Sequence, residues 1–323
     1  MVAHGRSVGT ACPGFPASVL YGFRPVACAH TGYDGPFAAL NELAPKGVGV
    51  TVILDDGNLP EEDRIAYCRY WDWLLRNHYR LGEARILRAS ELAARPEFLE
   101  CLLLRAGQGR GLKVSRVIEA LPATQRKGTE LGMFMGPILQ CAHVIHFDPD
   151  LVLAEESNRR IYELMSALGT PSERQYRFHE TATDIKGQRI TDSRARNRIS
   201  LEETRWSLEY KIQRMSFRAH GQPTSAPDPF ETAFSSSVFP WVGGGTIRLE
   251  FEDKQLREVR SAIEFRVNYR QGLIYPNAVN RQVLVDALLV RIEQLHAAMP
   301  VELRKHIDPK RAIGSEIPIG ATA

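Results

Sequence analysis

The sequence has little cysteine, no long apolar run and almost no net charge. Its five cysteines, Cys12, Cys28, Cys68, Cys101 and Cys141, are odd in number and widely scattered. No Cys-x-x-Cys or Cys/His spacing joins them, which argues against a disulfide framework and a structural zinc site and favours a reducing cytoplasm. No stretch approaches the roughly 18 apolar residues that span a bilayer, so no membrane partner is expected. The 41 Lys+Arg nearly balance 38 Asp+Glu, and a net charge of +3 does not by itself point to nucleic acid. A Walker A loop and a G-x-S-x-G elbow are absent, and of a dinucleotide fingerprint only Gly32 and Gly35 remain. No cofactor is implied. What is present is an ordinary globular composition: 44% hydrophobic and 24% charged residues over 323 positions, enough for a sizeable core.

Residues 1–23, rich in Gly, Ala, Ser and Pro, read as a flexible leader without the features of a secretory signal. Residues 24–317 read as a single α/β domain. A Rossmann-like parallel sheet flanked by helices occupies 24–150, and a more helical extension with a β-hairpin occupies 151–317. Residues 318–323 read as a loose tail. The pattern predicts strands at 25–30, 48–54, 84–88, 143–147, 247–251 and 265–269. Helices are predicted at 37–43, 61–79, 90–104, 114–121, 131–139, 155–168, 278–299 and from the capping box Ser200-Leu-Glu-Glu203 to His220. A strand–helix–strand run with short loops implies a parallel pair with a right-handed crossover.

In an open α/β sheet, ligands bind beyond the carboxyl ends of the strands. That rule draws attention to the loop from His30 to Gly35, with Asp55 and Asp56 beside it. On the helix at 61–79, a pitch of 100° per residue gathers Arg69 and Arg76, with Arg80 just beyond, into one arc beside Trp73. Such a face suits phosphate contacts, or is a solvated face laced with local ion pairs. The stretch from Arg174 to Arg218 is also basic, a second phosphate-binding surface or a solvated loop. Within it, Tyr176-Arg-Phe-His-Glu180 places Tyr176 and Glu180 four apart, on one face of a helical turn. A partly buried Glu beside a Tyr suits general acid–base work, and His179 is a second candidate; a turn of surface residues is the plainer reading. His143 and His146, read in a strand, face opposite sides and cannot share a metal ion, so no metal site is assigned there.

These features together resemble the tRNA-dependent cyclodipeptide synthases, whose fold is related to the catalytic domain of class I aminoacyl-tRNA synthetases. The resemblance rests on a small-residue strand followed by the His30–Gly35 loop, the arginine-rich helix, the run Arg85-Ile-Leu-Arg-Ala-Ser-Glu-Leu92, and the pair Tyr176 and Glu180. It implies an aminoacyltransferase that forms a diketopiperazine from aminoacyl-tRNAs, with aminoacyl-tRNA and a small amino acid as partners. The family's nucleophilic Ser falls near Thr31 and its pocket Asn near Asp34. By the resemblance, Thr31 accepts the aminoacyl group, Glu180 relays protons, Tyr176 holds the amine, and Arg69, Arg76 and Arg80 contact tRNA. Asp34, with Asp55 or Asp56, would pair with a cationic substrate side chain. A fainter resemblance, to the isonitrile synthases, rests on Ile53-Leu-Asp-Asp-Gly57 before a helix and on Pro240-Trp241. A non-catalytic RNA-binding protein is the third reading.

Overall fold

A computed structural model of the chain describes residues 16–25, 28–57, 59, 61–108, 119, 131–165, 175–179, 183–188, 190, 197–217, 228–241 and 245–304. The described residues divide into two compact units, one drawn from 1–25 and 39–181, the other from 26–38 and 182–323.

The first unit is built on five parallel strands: β1 (Ser18–Phe23), β2 (Gly49–Leu54), β3 (Arg85–Arg88), β4 (Leu151–Glu155) and β5 (Gln175–His179), in the order β3-β2-β1-β4-β5. This is the Rossmann-like α/β arrangement the sequence pattern predicts. β1 is central, yet it lies in the stretch read as a leader, and of the strand expected at 25–30 the described residues, 25 and 28–30, belong to no strand of the sheet. The residues Val19-Leu-Tyr carry the signal: apolar, β-prone and buried. The strand is pinned at its start, where the backbone N–H and hydroxyl of Ser18 donate to the Asp150 carboxylate at 2.9 and 3.0 Å. β4 reads Leu-Val-Leu-Ala and is buried throughout, as a strand covered on both faces requires.

One face of the sheet presents Leu20, Ile53 and Val152 to a core shared with α3 (Ala89–Ala93), α4 (Pro96–Gln108) and α5 (Leu131–Phe147). The strand expected at 143–147 is the last part of α5. Val144, Cys141 and Ala142 are buried at helical spacing, so tertiary packing overrides the β-branched local preference. α5 stops at Asp148, which adopts a left-handed φ of 45° ahead of Pro149. On the other face Phe23 meets Trp71 of α2 (Glu61–Trp73) at 4.8 Å, and Trp71 stacks on Tyr79. α2 continues into a π-helical segment, Leu74–His78.

In the second unit, α6 (Arg205–Gln213) packs on α7 (Ala278–Ala298), the long helix the sequence predicts. A hairpin joins β6 (Ile247–Glu250) and β7 (Leu256–Val259) antiparallel. The strand expected at 265–269 belongs to α8 (Ala262–Arg270), capped by the Ser261 hydroxyl, which accepts from the Glu264 N–H. Phe265 and Tyr269, one turn apart, stack together at 5.5 Å and meet Phe230, which strand alternation would also have allowed but packing resolves as helix. The helix expected at 114–121 lies outside the described residues.

His143 is buried against Phe98, their rings 5.1 Å apart. Burial, with the charge of His146 adding to it, pushes its pKa down from 6.5 to about 4. The unfolded chain therefore takes a proton below about pH 6.5 that the folded chain refuses until about pH 4. Stability present above pH 6.5 should fall progressively across that window. The variant His143→Leu should flatten the dependence in urea titrations run between those two pH values.

Candidate functional site

The carboxyl ends of the strands lie level: Phe23 pairs with Leu54, Leu54 with Arg88, and Glu155 with His179. The chain leaves β1 towards β2 on one side and returns through β4 on the other, so the crevice of the sheet opens beyond β1 and β4. Three polar side chains belong to this edge. Arg24 follows β1 directly. Asp55 follows β2, its N–H donating to the Phe23 carbonyl at 2.8 Å. His179 ends β5, edge-on to the Tyr21 ring at 6.0 Å. Burial holds the Asp55 carboxyl above its ordinary pKa; the Arg24 guanidinium opposes this and the Asp56 carboxylate adds to it. A carboxylate partly stripped of water and a guanidinium thus stand at adjacent strand ends, charges complementary to the two ends of a small zwitterion.

Asp56 has a different task. Its fully buried carboxylate accepts from the Ser90 N–H at 2.8 Å and the Ser90 hydroxyl at 2.6 Å, and the Cys68 thiol points to it at 3.8 Å. It caps the start of α3 from 34 residues away in sequence. Asp56 is thus occupied within the fold, and the expectation that it meets substrate is corrected to a cap. The expectation that Ser90 starts a helix holds in part: Ser90 lies in α3, and a second helix opens at Pro96.

Tyr176 lies in β5, not on a helical turn. It shares a face with Phe178, stacks near it, and meets the Tyr162 ring at 5.4 Å over the apolar core. His179 points to the opposite face, as strand alternation demands. Glu180 lies outside the described residues. Arg69, Arg76 and Arg80 are all exposed. The single arc drawn for them fails because the π-helical segment changes the pitch after Trp73, and Arg80 stands beyond it with φ of 58°. Arg76 is engaged locally, donating to both Asp72 oxygens at 3.2 Å and to the Gly82 carbonyl at 3.0 Å. His143 and His146 sit one helical turn apart on α5 rather than on opposite faces of a strand. Among the described residues, no group of three or more His, Cys, Asp or Glu is placed to hold a metal ion.

Thr31 belongs to the second unit, where it opens a 3-10 turn, Thr31–Tyr33. The loop is stitched to a distant segment: Thr31 N–H donates to the Ile199 carbonyl at 3.0 Å, Leu201 N–H to the Ala29 carbonyl at 2.9 Å, and His30 bridges Ser200. His30 Nδ1 accepts from the Gly32 N–H at 3.1 Å. Burial, helped by the Arg198 charge, pushes its pKa down to about 3, so the ring is a neutral acceptor at physiological pH. Ser200 touches the Cys28 thiol at 2.7 Å, and burial sends that thiol up to about 12, far from a reactive thiolate. The capping box is real as a contact, since Glu203 accepts from the Ser200 N–H at 3.3 Å, but the helix itself begins at Arg205 with Thr204 as its cap. Glu203 pairs with Lys211, both buried, and Lys211 also donates to the Arg198 carbonyl at 2.8 Å. Thr31 lines a cavity of about 20 Å³ with Gly32, Asp184 and Ser237, room for about one water molecule.

Asp34 is fully buried, and Arg291 of α7 grips it with two hydrogen bonds at 2.6 and 2.7 Å. The guanidinium also donates to the Ser237 carbonyl and lies over the Trp241 ring at 4.8 Å. The Asp34 charge is therefore met from inside the chain, which corrects the expectation that it meets a cationic substrate. The sequence offered no sign of this partner, 257 positions away.

This open parallel sheet, with its polar edge at the switch point, is the architecture of a Rossmann-like α/β protein. No protein-family model and no curated protein matches the sequence. The fold is similar to solved aminoacyl-tRNA synthetases. The tyrosyl-tRNA synthetase of Archaeoglobus fulgidus, complexed with L-tyrosine, aligns with a TM-score of 0.72 at 17% identity over 90% of each chain. That of Aeropyrum pernix gives 0.74 at 16% identity, covering 91% of this chain and 89% of the other. The tryptophanyl-tRNA synthetase of Encephalitozoon cuniculi, bound to tryptophan, gives 0.60 at 16% identity, over 91% and 83%. The likeness establishes the fold.

Removing Arg291 would strand a buried carboxylate. The variant Arg291→Met should lower the unfolding free energy by about 3–5 kcal/mol, and adding Asp34→Asn should recover part of it. Urea unfolding followed by circular dichroism measures both. An unchanged midpoint in the single variant would show that Asp34 does not depend on Arg291.

Proposed function

We propose that the protein binds an amino acid at the carboxyl edge of its parallel sheet and acts on it together with tRNA. The observation that carries this reading is the extent of the likeness: nine-tenths of the chain follows nine-tenths of a synthetase known with L-tyrosine bound. The site chemistry supports it. An amino acid carries one ammonium and one carboxylate, and Asp55 and Arg24 offer the complementary charges at neighbouring strand ends. A bound ammonium favours the ionised form of Asp55 and offsets what burial costs that carboxylate. His179, half-buried at the end of β5 and edge-on to Tyr21, borders the same edge.

The finer form of the reading is aminoacyl transfer with closure of a diketopiperazine. In that reaction the Thr31 hydroxyl would attack the ester carbonyl of aminoacyl-tRNA. A new ester forms on Thr31, and the tRNA ribose hydroxyl leaves with the proton. Glu180 would carry protons, Tyr176 would hold the amine, and Arg69, Arg76 and Arg80 would meet phosphates. The cavity of about 20 Å³ at Thr31 is too small for an aminoacyl group as it stands, so this form also requires the loop to open. Among the described residues nothing favours isonitrile formation.

Incubating the purified protein with ATP, bulk tRNA and each amino acid in turn, with mass spectrometry of the tRNA and the supernatant, separates the forms. Aminoacyl-tRNA as product supports ligation, and a diketopiperazine from pre-charged tRNA supports transfer. Neither product, together with no amino acid raising the melting temperature, would overturn the reading. The variant Asp55→Asn should weaken amino-acid binding about tenfold or more. In the parent protein binding should weaken as pH falls through the raised pKa of Asp55, because the protonated carboxyl no longer attracts the ammonium. The variant should lose that dependence in calorimetric titrations.

A further inference from the structure

The basic stretch from Arg174 to Arg218 carries eleven Lys and Arg against six Asp and Glu, and the amino-acid site uses none of them. Within it, α6 has two unlike faces. Leu208, Lys211 and Ile212 are buried. On the outside, Trp206 and Tyr210 stand one helical turn apart, and Arg214 follows four residues later. The Trp206 ring is 57% exposed and the Tyr210 ring 38%. They stack on each other at 5.6 Å with their planes 20° apart. The Arg214 guanidinium lies over the Tyr210 ring, 4.0 Å from its centroid, and hydrogen-bonds the Tyr210 hydroxyl. The result is a short column built on two stacked rings, with a guanidinium against the second, preorganised and in water. What sets the pair apart from the other exposed apolar side chains is that its two rings are stacked and carry a guanidinium against them.

We propose that this column is a stacking platform for an unpaired base of an RNA strand. Every base offers a π face that can extend the column beyond Trp206. The surrounding charge fits a phosphate backbone. Lys186 is exposed and donates to the Arg214 carbonyl at 3.1 Å, which sets two cations, Lys186 and Arg214, beside the column. The acidic neighbours Glu209 and Asp286 are both engaged by Arg205, at 3.6 and 3.0 Å. The rings supply affinity without sequence preference, and the cations supply salt dependence. The proposal leans on the reading above only in expecting the RNA to be tRNA; the platform itself is argued from α6.

The test is fluorescence anisotropy of a labelled, short single-stranded oligoadenylate titrated with the full chain. Trp206→Ala and Tyr210→Ala should each weaken binding about tenfold or more, and Trp206→Phe, which keeps a ring, should retain most of it. Arg214→Gln should weaken binding and reduce its dependence on salt. These substitutions lie on the surface, and circular dichroism confirms that each variant is folded. Equal affinity of Trp206→Ala and parent would overturn the proposal. So would capture of a labelled proline-rich peptide, through Trp206, by a protein that ignores the oligoadenylate. Because the assay uses neither amino acid nor ATP, loss of the aminoacyl reading would leave its outcome untouched, and the reverse holds as well.

Discussion

The first unit depends on β1 being hydrogen-bonded on both sides. Parallel strands cannot be joined by tight turns, so each neighbour of β1 must be reached by a crossover. Those crossovers place helices on the two faces and leave the carboxyl edge open. The open edge is where Arg24, Asp55 and His179 are collected. Without the central strand, β2 and β4 have no common partner, and the groups at their ends have no common edge.

The second unit solves a different problem, that of burying charge. Asp34 with Arg291, and Glu203 with Lys211, are pairs with almost no water access. Removing either member of such a pair leaves an uncompensated ion in low dielectric, which is why these pairs hold distant segments together even where their net contribution to stability is modest. The Glu203–Lys211 pair stands next to the strand-like stitching between residues 29–31 and 199–201. The loop that carries Thr31 is thereby fixed by contacts with no local sequence signature.

Much of the architecture was legible. β2 is a β-branched run bounded by glycine and aspartate, and α7 shows a sustained apolar stripe ending before Pro300. Both signals are local and long. The misassigned elements were short or two-sided. Val19-Leu-Tyr in β1 was masked by a flanking region rich in glycine and proline. The run His143 to Phe147 has β-prone residues, yet it is helical because Cys141, Ala142 and Val144 pack into the core of α4 and the sheet. For the site, the rule about strand ends pointed to Asp55 and Asp56 alike. It could not separate Asp55 from Asp56, because adjacent residues point to different surroundings and only the fold shows that one of them caps α3.

By itself the sequence determined the α/β class, the strand β2, the long helix near the end of the chain and the clustering of positive charge, all properties set by composition and short-range periodicity. Only the tertiary structure decided which charges are spent inside the fold and which face water. Asp34, Asp56 and Glu203 each find a partner through the fold, whereas Trp206 and Tyr210 are left outside it. That division follows from long-range packing, because the free energy of a charge or a ring depends on what surrounds it in space, and neighbours in sequence do not record those surroundings.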